Sequence, residues 1–345
     1  TTDESELVLS RMLKSITKRI IIDGKLLNIS ASIGVTFYPS DGVDSDQLLR
    51  HADQAMYIAK QSGKNSYHVF DVQKSVDFQH KNEELRRIAQ GFINDEFELY
   101  YQPKIDLRNN KVVGTEALIR WVHPEYGVLG PHKFLPAVEY NPLGIEIGKW
   151  VIISALKQVQ EWQRHGYDIP ISVNISPLQL QHAEFVNELR DILVQFPDFR
   201  SHSIEFEIVE SSALEDVESI SKVIDACNQL GISFAIDDFG TGYSSLTYIK
   251  RLPVKYLKID QSFVRDMLVD LDDKAIIQGI IELAKVFHLE IIAEGVETPA
   301  HGELLLSFGC FIAQGYAIAK PMPADRFLCW LSDWDENPCM IDSTI

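Results

Sequence analysis

IEFEIVE, residues 204–210, puts Ile204, Phe206 and Ile208 on one face of an extended segment, opposed by Glu205, Glu207 and Val209 on the other. ISVNIS, residues 171–176, repeats the pattern: Ile171, Val173 and Ile175 alternate with Ser172, Asn174 and Ser176. Alternation with a period of two reads as β-strand. Outward from these two runs, further strands are expected at 97–106, 111–120, 233–239, 256–260, 290–296 and 311–316. Helical stretches at 147–165, 178–195, 214–230, 272–288, 299–308 and 323–334 fall between most of them. Such alternation predicts a parallel sheet covered by helices.

Eight strands of this kind over residues 84–336 predict an α/β fold, a TIM-like (β/α)8 barrel. The first two strands are separated only by residues 107–110, too short for a parallel crossover, so one strand is expected to run antiparallel. Barrel strands are ordinarily apolar on both faces. Here one face is polar, and a buried polar face needs partners.

Glu116, Asn174, Glu207, Asp237, Asp238, Lys258, Glu294 and Gln314 fall at or near the C-terminal ends of these strands, where the active sites of such barrels gather. Carboxylates crowded into a low-dielectric cup repel one another unless cations balance them. Divalent metals meet that need, and an oxygen-rich set without Cys or His favours Mg²⁺ or Mn²⁺ over Zn²⁺. The adjacent Asp237 and Asp238 suggest two ions sharing one carboxylate, because a chain turning at Phe239-Gly240 can aim both side chains inward. Neighbouring strand residues otherwise point to opposite faces. Singly, each residue has a plainer reading: Asp237-Asp238 as an Asx turn, Lys258 as an ion-paired lysine, Asn174 and Gln314 as core amides. Their convergence favours the functional one.

Residues 84–336 resemble an EAL domain, the cyclic di-GMP phosphodiesterase family. The resemblance rests on EALIRW at 116–121, VNIS at 173–176, EIVES at 207–211, DDFGTGYSSL at 237–246, LKID at 257–260, AEGVET at 293–298 and QGYAIAKPM at 314–322, in that order. It implies hydrolysis of cyclic di-GMP to linear 5'-pGpG by water attack assisted by two Mg²⁺ or Mn²⁺ ions, and a homodimer formed through this domain. One ion would be held by Glu116, Asn174, Glu207 and Asp237, the other by Asp237 and Asp238 with Glu294 close by. Lys258, Glu294 and Glu210 form the implied catalytic set. Lys258 would position or deprotonate the attacking water, and Glu210 would anchor the loop 240–245. Gln102, Arg120, Asp238, Gln314, Tyr316 and Glu297 are the implied substrate contacts, Arg120 on a phosphate. Two departures stand out: Val209 where many members carry Thr, and NPLGIEIGKW at 141–150 in place of the commoner acidic-Thr-Gly version. A domain that binds the dinucleotide without cutting it, and one that only mediates assembly, are the competing readings. Loss of metal ligands would mark the first, and none is lost.

Residues 1–70 resemble the C-terminal half of a GGDEF domain, the diguanylate cyclase fold, through SIGVTFYPSDG at 32–42 and HADQAMYIAKQSGKNSY at 51–67. The GGDEF signature is absent, so cyclase activity is not expected. A helix at 4–20, a strand at 27–37, a helix at 46–61 and a strand at 65–70 are predicted there, followed by a polar helical connector at 71–83 and, after the barrel, a tail at 337–345. The opening at Thr1 inside a helical pattern leads to the expectation of a longer parent chain whose upstream sensor or GGDEF portion lies outside this sequence.

The net charge of −18 argues against long nucleic acid as a partner, since tracking a phosphate backbone takes many Lys and Arg contacts. A small anion held by a few local cations remains compatible. No apolar run approaches the roughly 20 residues of a membrane span and no signal-peptide pattern is present, so a cytoplasmic location is expected for this piece. Cys227, Cys310 and Cys329 lie in apolar or helical contexts and Cys339 near the end, without CxxC pairing, and read as free thiols. His123, His132 and His301 form no ligand pattern and are expected in loops or on the surface.

Overall fold

A computed structural model describes the chain except residues 1, 18–19, 23–24, 28, 42–43, 62–64, 211–215, 242–248, 337 and 339–345. It divides into two units, residues 1–88 and 89–345. In the first, helices Thr2–Ile16 and Ser45–Gln61 accompany two short sheets: Ile20–Ile22 antiparallel to Lys25–Leu27, and Ile33–Val35 parallel to Tyr67–Val69. The expected first helix thus stops before Ile20. Three consecutive isoleucines favour a pleated strand over a helix because their branched side chains are stiff at χ1. The single strand expected at 27–37 is instead divided between two sheets. Helix Val72–Ile93 runs through the expected connector.

In the second unit, β1 (Phe97–Asp106) and β2 (Lys111–His123) form an antiparallel hairpin, with Asp106 paired to Lys111 across the turn. β3 (Ile171–Asn174), β4 (Ile204–Val209), β5 (Ser233–Phe239), β6 (Tyr256–Ile259), β7 (Glu290–Ala293) and β8 (Ile312–Ala313) then follow β2, each parallel to its neighbour. β8 returns antiparallel to β1 through Ala313 and Ile105, closing an eight-stranded ring with one reversed strand. Two short strands, Gly127–Leu129 on β2 and Met322–Pro323 on β1, flank the ring.

The apolar face of each strand meets the covering helices. Phe206 of β4 lies with its ring centroid 5.4 Å from Phe234 of β5 and 6.1 Å from Phe185 of helix Phe185–Val194. Helix Pro142–Arg164 starts on Asn141, whose side chain accepts from Leu143 N–H at 3.0 Å, with Pro142 in the first turn, where a missing N–H costs nothing. Its buried Ile147, Val151, Ile152, Ala155, Val159 and Trp162 recur at helical spacing. Trp162 stacks on Phe327 of the last helix, Ala324–Glu336, at 4.7 Å. The helix expected at 178–195 is instead two pieces, Pro177–Leu180 and Phe185–Val194.

His123 and His301 are not surface residues. Each is buried: His123 accepts from the N–H groups of Glu125 and Tyr126, and His301 bonds Thr298 Oγ1 and the Arg265 carbonyl. Only His132 of the three is exposed. Cys227 and Cys310 are buried and Cys329 is exposed, while Cys339 lies outside the described residues. No described helix is long and apolar enough to cross a membrane.

Replacing the fully buried Phe206 by Ala should remove this contact between the strand layer and the helix layer. We expect urea unfolding of the full chain to report a loss of about 3–5 kcal/mol, the usual cost of emptying such a site.

Candidate metal centre and active site

The polar faces of the strands point into the ring, as bonds between strands that are not neighbours demonstrate. Lys104 of β1 reaches Ser172 of β3 at 2.8 Å and Glu207 of β4 at 2.7 Å. Lys258 of β6 lies 2.6 Å from Glu207, 3.0 Å from Asp237 of β5, 3.6 Å from Glu116 of β2 and 2.6 Å from Glu294, the residue after β7. Both lysines are buried.

β5 carries a register shift against β6. Ile236 pairs with Leu257 and Phe239 with Ile259, so Asp237 and Asp238 together oppose Lys258. Two residues against one is a β-bulge, which re-aims side chains. Asp238 takes a positive φ of 52°, a conformation Asp tolerates better than most residues. The bulge lets both carboxylates face the same centre. Potential ligand oxygens of Glu116, Glu207 and Asp237 lie within 4.8 Å of one another, and so do those of Asp237, Asp238 and Glu294. The two groups share Asp237.

Amides complete the cup. Asn174 donates to Glu116 Oε1 at 2.8 Å. Gln314 donates through Nε2 to Glu116 Oε2 at 2.6 Å and to Gln102 Oε1 at 2.9 Å, and Gln102 donates to the Ala319 carbonyl at 3.0 Å. Gln314 Oε1 is buried without a partner. Gly315, next in the chain, lets the backbone pass Val296, since a Cβ there would stand 2.2 Å from the Val296 nitrogen and oxygen.

Charge in this interior is out of balance. Among the described residues, Glu116, Glu205, Glu207, Asp237 and Glu294 pair only with Lys104 and Lys258, five potential negative charges against two positive. Burial pushes Glu116 up, with Glu207 adding to the shift and Lys258 opposing it. Burial likewise raises Glu294 well above the usual carboxylate range, Lys258 opposing and Asp237 adding. Asp238 is raised to about 6 by burial and by Asp237 and Asp260. Glu207 goes the other way: burial favours its neutral form, but Lys104 and Lys258 outweigh burial and hold it ionised. Burial tends to lower Lys258, yet Asp237, Glu116, Glu207 and Glu294 together raise it well above its ordinary value. An ammonium has no lone pair with which to take a proton from water, so in this arrangement Lys258 is a donor. The oxygen-only donor set, the negative excess and the orphaned Gln314 oxygen fit hard divalent cations.

Two cavities meet at this cluster, both lined in part by Glu116. One, of about 620 Å³, has mainly apolar walls including Leu118, Leu135, Val138, Ile147 and Val151, and also meets Asn174, Glu207 and Asp238. The other, of about 530 Å³, is polar and lined by Gln102, Arg120, Asp237, Glu294, Glu297, Gln314 and Tyr316. Arg120 lies over the Tyr100 ring at 5.5 Å and forms no carboxylate pair among the described residues. Tyr316 is largely exposed at the rim. Glu210 stands apart from the cluster, its Oε2 accepting from Gly240 N–H at 3.0 Å where φ is 101°. Most of the loop it was expected to anchor lies outside the described residues.

The EAL domain family profile matches residues 85–321. The chain belongs to the EAL domain family. Residues 1–66 match the family described as diguanylate cyclase, GGDEF domain. The chain is 40% identical over 319 residues to the bifunctional diguanylate cyclase/cyclic di-GMP phosphodiesterase MucR of Pseudomonas aeruginosa, covering 92% of this chain and 46% of that protein. It is 36% identical over 304 residues to the cyclic di-GMP phosphodiesterase PdeR of Escherichia coli, covering 87% of this chain and 45% of that protein. The chain thus spans about half the length of these curated relatives. Among solved structures, the PaMucR phosphodiesterase in complex with c-di-GMP aligns with a TM-score of 0.68 and 39% identity over 71% of this chain and 99% of that one. The EAL enzyme Bd1971, with cAMP and cyclic di-GMP bound, aligns at 0.71 and 34% identity over 85% and 77%.

Within this EAL domain, Lys104 and Arg265 escaped the sequence reading, and Glu205 entered it only as part of the polar face of IEFEIVE. Lys104 and Glu205 bond at 3.3 Å inside the ring, and Arg265 lines the polar cavity. The alternation of Gln102, Lys104 and Asp106 with Tyr101, Pro103 and Ile105 was the available signal for Lys104. Its face is the same polar face that marks β3 and β4.

The raised Asp238 carboxyl gives a pH prediction for the metal-free chain. A carboxyl with a native pKa of about 6, above its ordinary 3.8, binds its proton more tightly folded than unfolded. The stability it contributes is therefore present at low pH and lost as pH rises through that window. With a chelator present, Asp238→Asn should raise Tm above wild type more at about pH 7.5 than at about pH 4.5. A gap independent of pH would contradict the shift.

Proposed function

We propose that this EAL domain hydrolyses cyclic di-GMP to linear 5'-pGpG with the help of two divalent cations, Mg²⁺ or Mn²⁺. The observation that carries the proposal is the pair of oxygen clusters sharing Asp237, lying where two cavities meet. The similarity to relatives named as cyclic di-GMP phosphodiesterases supports the substrate. Glu116, Asn174, Glu207 and Asp237 would hold one cation, and Asp237, Asp238 and Glu294 the other. When bound, such ions lower the pKa of a coordinated water and stabilise charge on the phosphate.

The chain's own groups do the rest. Arg120 and Arg265 on the wall of the polar cavity offer guanidinium groups to a phosphate, and Arg suits planar recognition of phosphate oxygens. Lys258 Nζ, held as an ammonium, orients the attacking water for in-line approach to phosphorus. Attack breaks the P–O3' bond, leaving a 5'-phosphate at one end and a free 3'-hydroxyl at the other. Gln314 Oε1 can accept from water in the cup, Gln102 keeps Gln314 in place, and the apolar cavity takes a flat base away from solvent. Tyr316 and Glu297 meet the ligand at the rim. Glu210 acts at one remove, through the Gly240 backbone. Association as a homodimer through this domain and a cytoplasmic site of action complete the proposal.

Incubation of the chain with cyclic di-GMP and Mn²⁺, followed by chromatography, should yield pGpG. Binding without product would favour the sensing reading instead. Glu116→Ala should lower turnover at saturating metal by more than tenfold, about 1.4 kcal/mol of barrier. Lys258→Ala should lower kcat by roughly 10²–10³-fold, the usual cost of losing a placed donor, with KM little changed. A KM effect with kcat intact would make Lys258 a binding residue.

A further inference from the structure

Lys104 lies beneath the cluster, toward the end of the ring remote from Asp238. Its ammonium has three N–H donors and meets three acceptors: Glu207 Oε1 at 2.7 Å, Ser172 Oγ at 2.8 Å and Glu205 Oε1 at 3.3 Å. Lys258 takes the other oxygen of Glu207 at 2.6 Å. The Glu207 carboxylate is therefore gripped at both oxygens, from below by Lys104 and from above by Lys258. Its side chain is fully buried. Below Lys104 a separate cavity of about 300 Å³ opens, lined by Ser172, Glu205, Lys255 and Tyr256 and not by the ligand oxygens of the upper clusters.

We propose that Lys104 is a positioning residue for the metal-holding Glu207: from the floor of the barrel it fixes the plane of that carboxylate and keeps it directed at the cluster. The inference rests on the two-cation reading and deepens it. A ligand carboxylate without its supporting partner loses preorganisation, typically at a cost of 10–100-fold in metal affinity. Simple electrostatics gives the opposite sign. Taking a positive charge away from a cation site should tighten cation binding, so the direction of the change separates positioning from charge.

The test is direct titration of the full chain with Mn²⁺, following free ion by electron paramagnetic resonance, without substrate. Lys104→Met should weaken Mn²⁺ binding at least tenfold. The double variant Lys104→Met/Glu205→Gln removes one charge of each sign and relieves the stranded Glu205. It should recover most of the thermal stability lost by the single variant but not its Mn²⁺ affinity. Affinity equal to or tighter than wild type in the single variant overturns the proposal, as does affinity restored in the double variant, because Lys104 would then serve only to neutralise Glu205. If the single variant does not fold, the double variant is read alone on the same terms. If neither folds, Ser172→Ala, which removes one of the three acceptors that seat Lys104, should weaken binding by a few fold, and wild-type affinity there overturns the proposal. Failure of the wild-type chain to bind Mn²⁺ would instead sink the two-cation reading itself.

Discussion

Glu207 accepts an ammonium at each carboxylate oxygen, and the rest of the barrel is arranged around that double ion pair. A buried charge without partners costs several kcal/mol, and breaking one buried pair typically costs about 3–5 kcal/mol. The pairs here can form only when strands distant in sequence close into a ring. Lys104 comes from β1 and Lys258 from β6, more than 150 residues apart, and they meet on one side chain of β4. Ring closure and charge pairing are thus a single cooperative requirement.

The pairing is incomplete by design of the residue set. Two lysines pair with five carboxylates, and at the mouth Glu116, Glu294 and a further carboxylate, Asp238, are all pushed toward their protonated forms. Beneath them Glu207 stays ionised because an ammonium bonds each of its two oxygens. Glu205 on the floor is pushed the same way by burial, so the shortfall of positive charge runs through the whole interior, and divalent cations at the mouth would supply it.

Local backbone devices shape the cluster. The bulge at Asp237 and Asp238 turns two consecutive side chains to one centre, which an undistorted strand forbids. Gly315 allows β8 to pass close to Val296, and that approach seats Gln314 against Glu116 and Gln102. Each device lies within a residue or two of a donor to the cluster. The layers around the ring are apolar packing of strands against helices.

By itself the sequence determined the alternation of strands and helices, the reversed first strand and the set of polar groups at the strand ends. Those features follow from local periodicity and from the short link at 107–110, so no distant contact is needed to read them. The pairing of Asp237 with Asp238 was legible too, because two adjacent acids before a glycine turn can serve one site only if the strand bends. Tertiary structure alone decided the rest. The burial of His301 against the Arg265 carbonyl and above all the place of Lys104 depend on contacts between elements distant in sequence. The alternation in YYQPKID puts Lys104 on the polar face of its strand but does not name its partners. Its partners Ser172, Glu205 and Glu207 lie 68 to 103 residues away, and only closure of the barrel brings them within hydrogen-bonding reach.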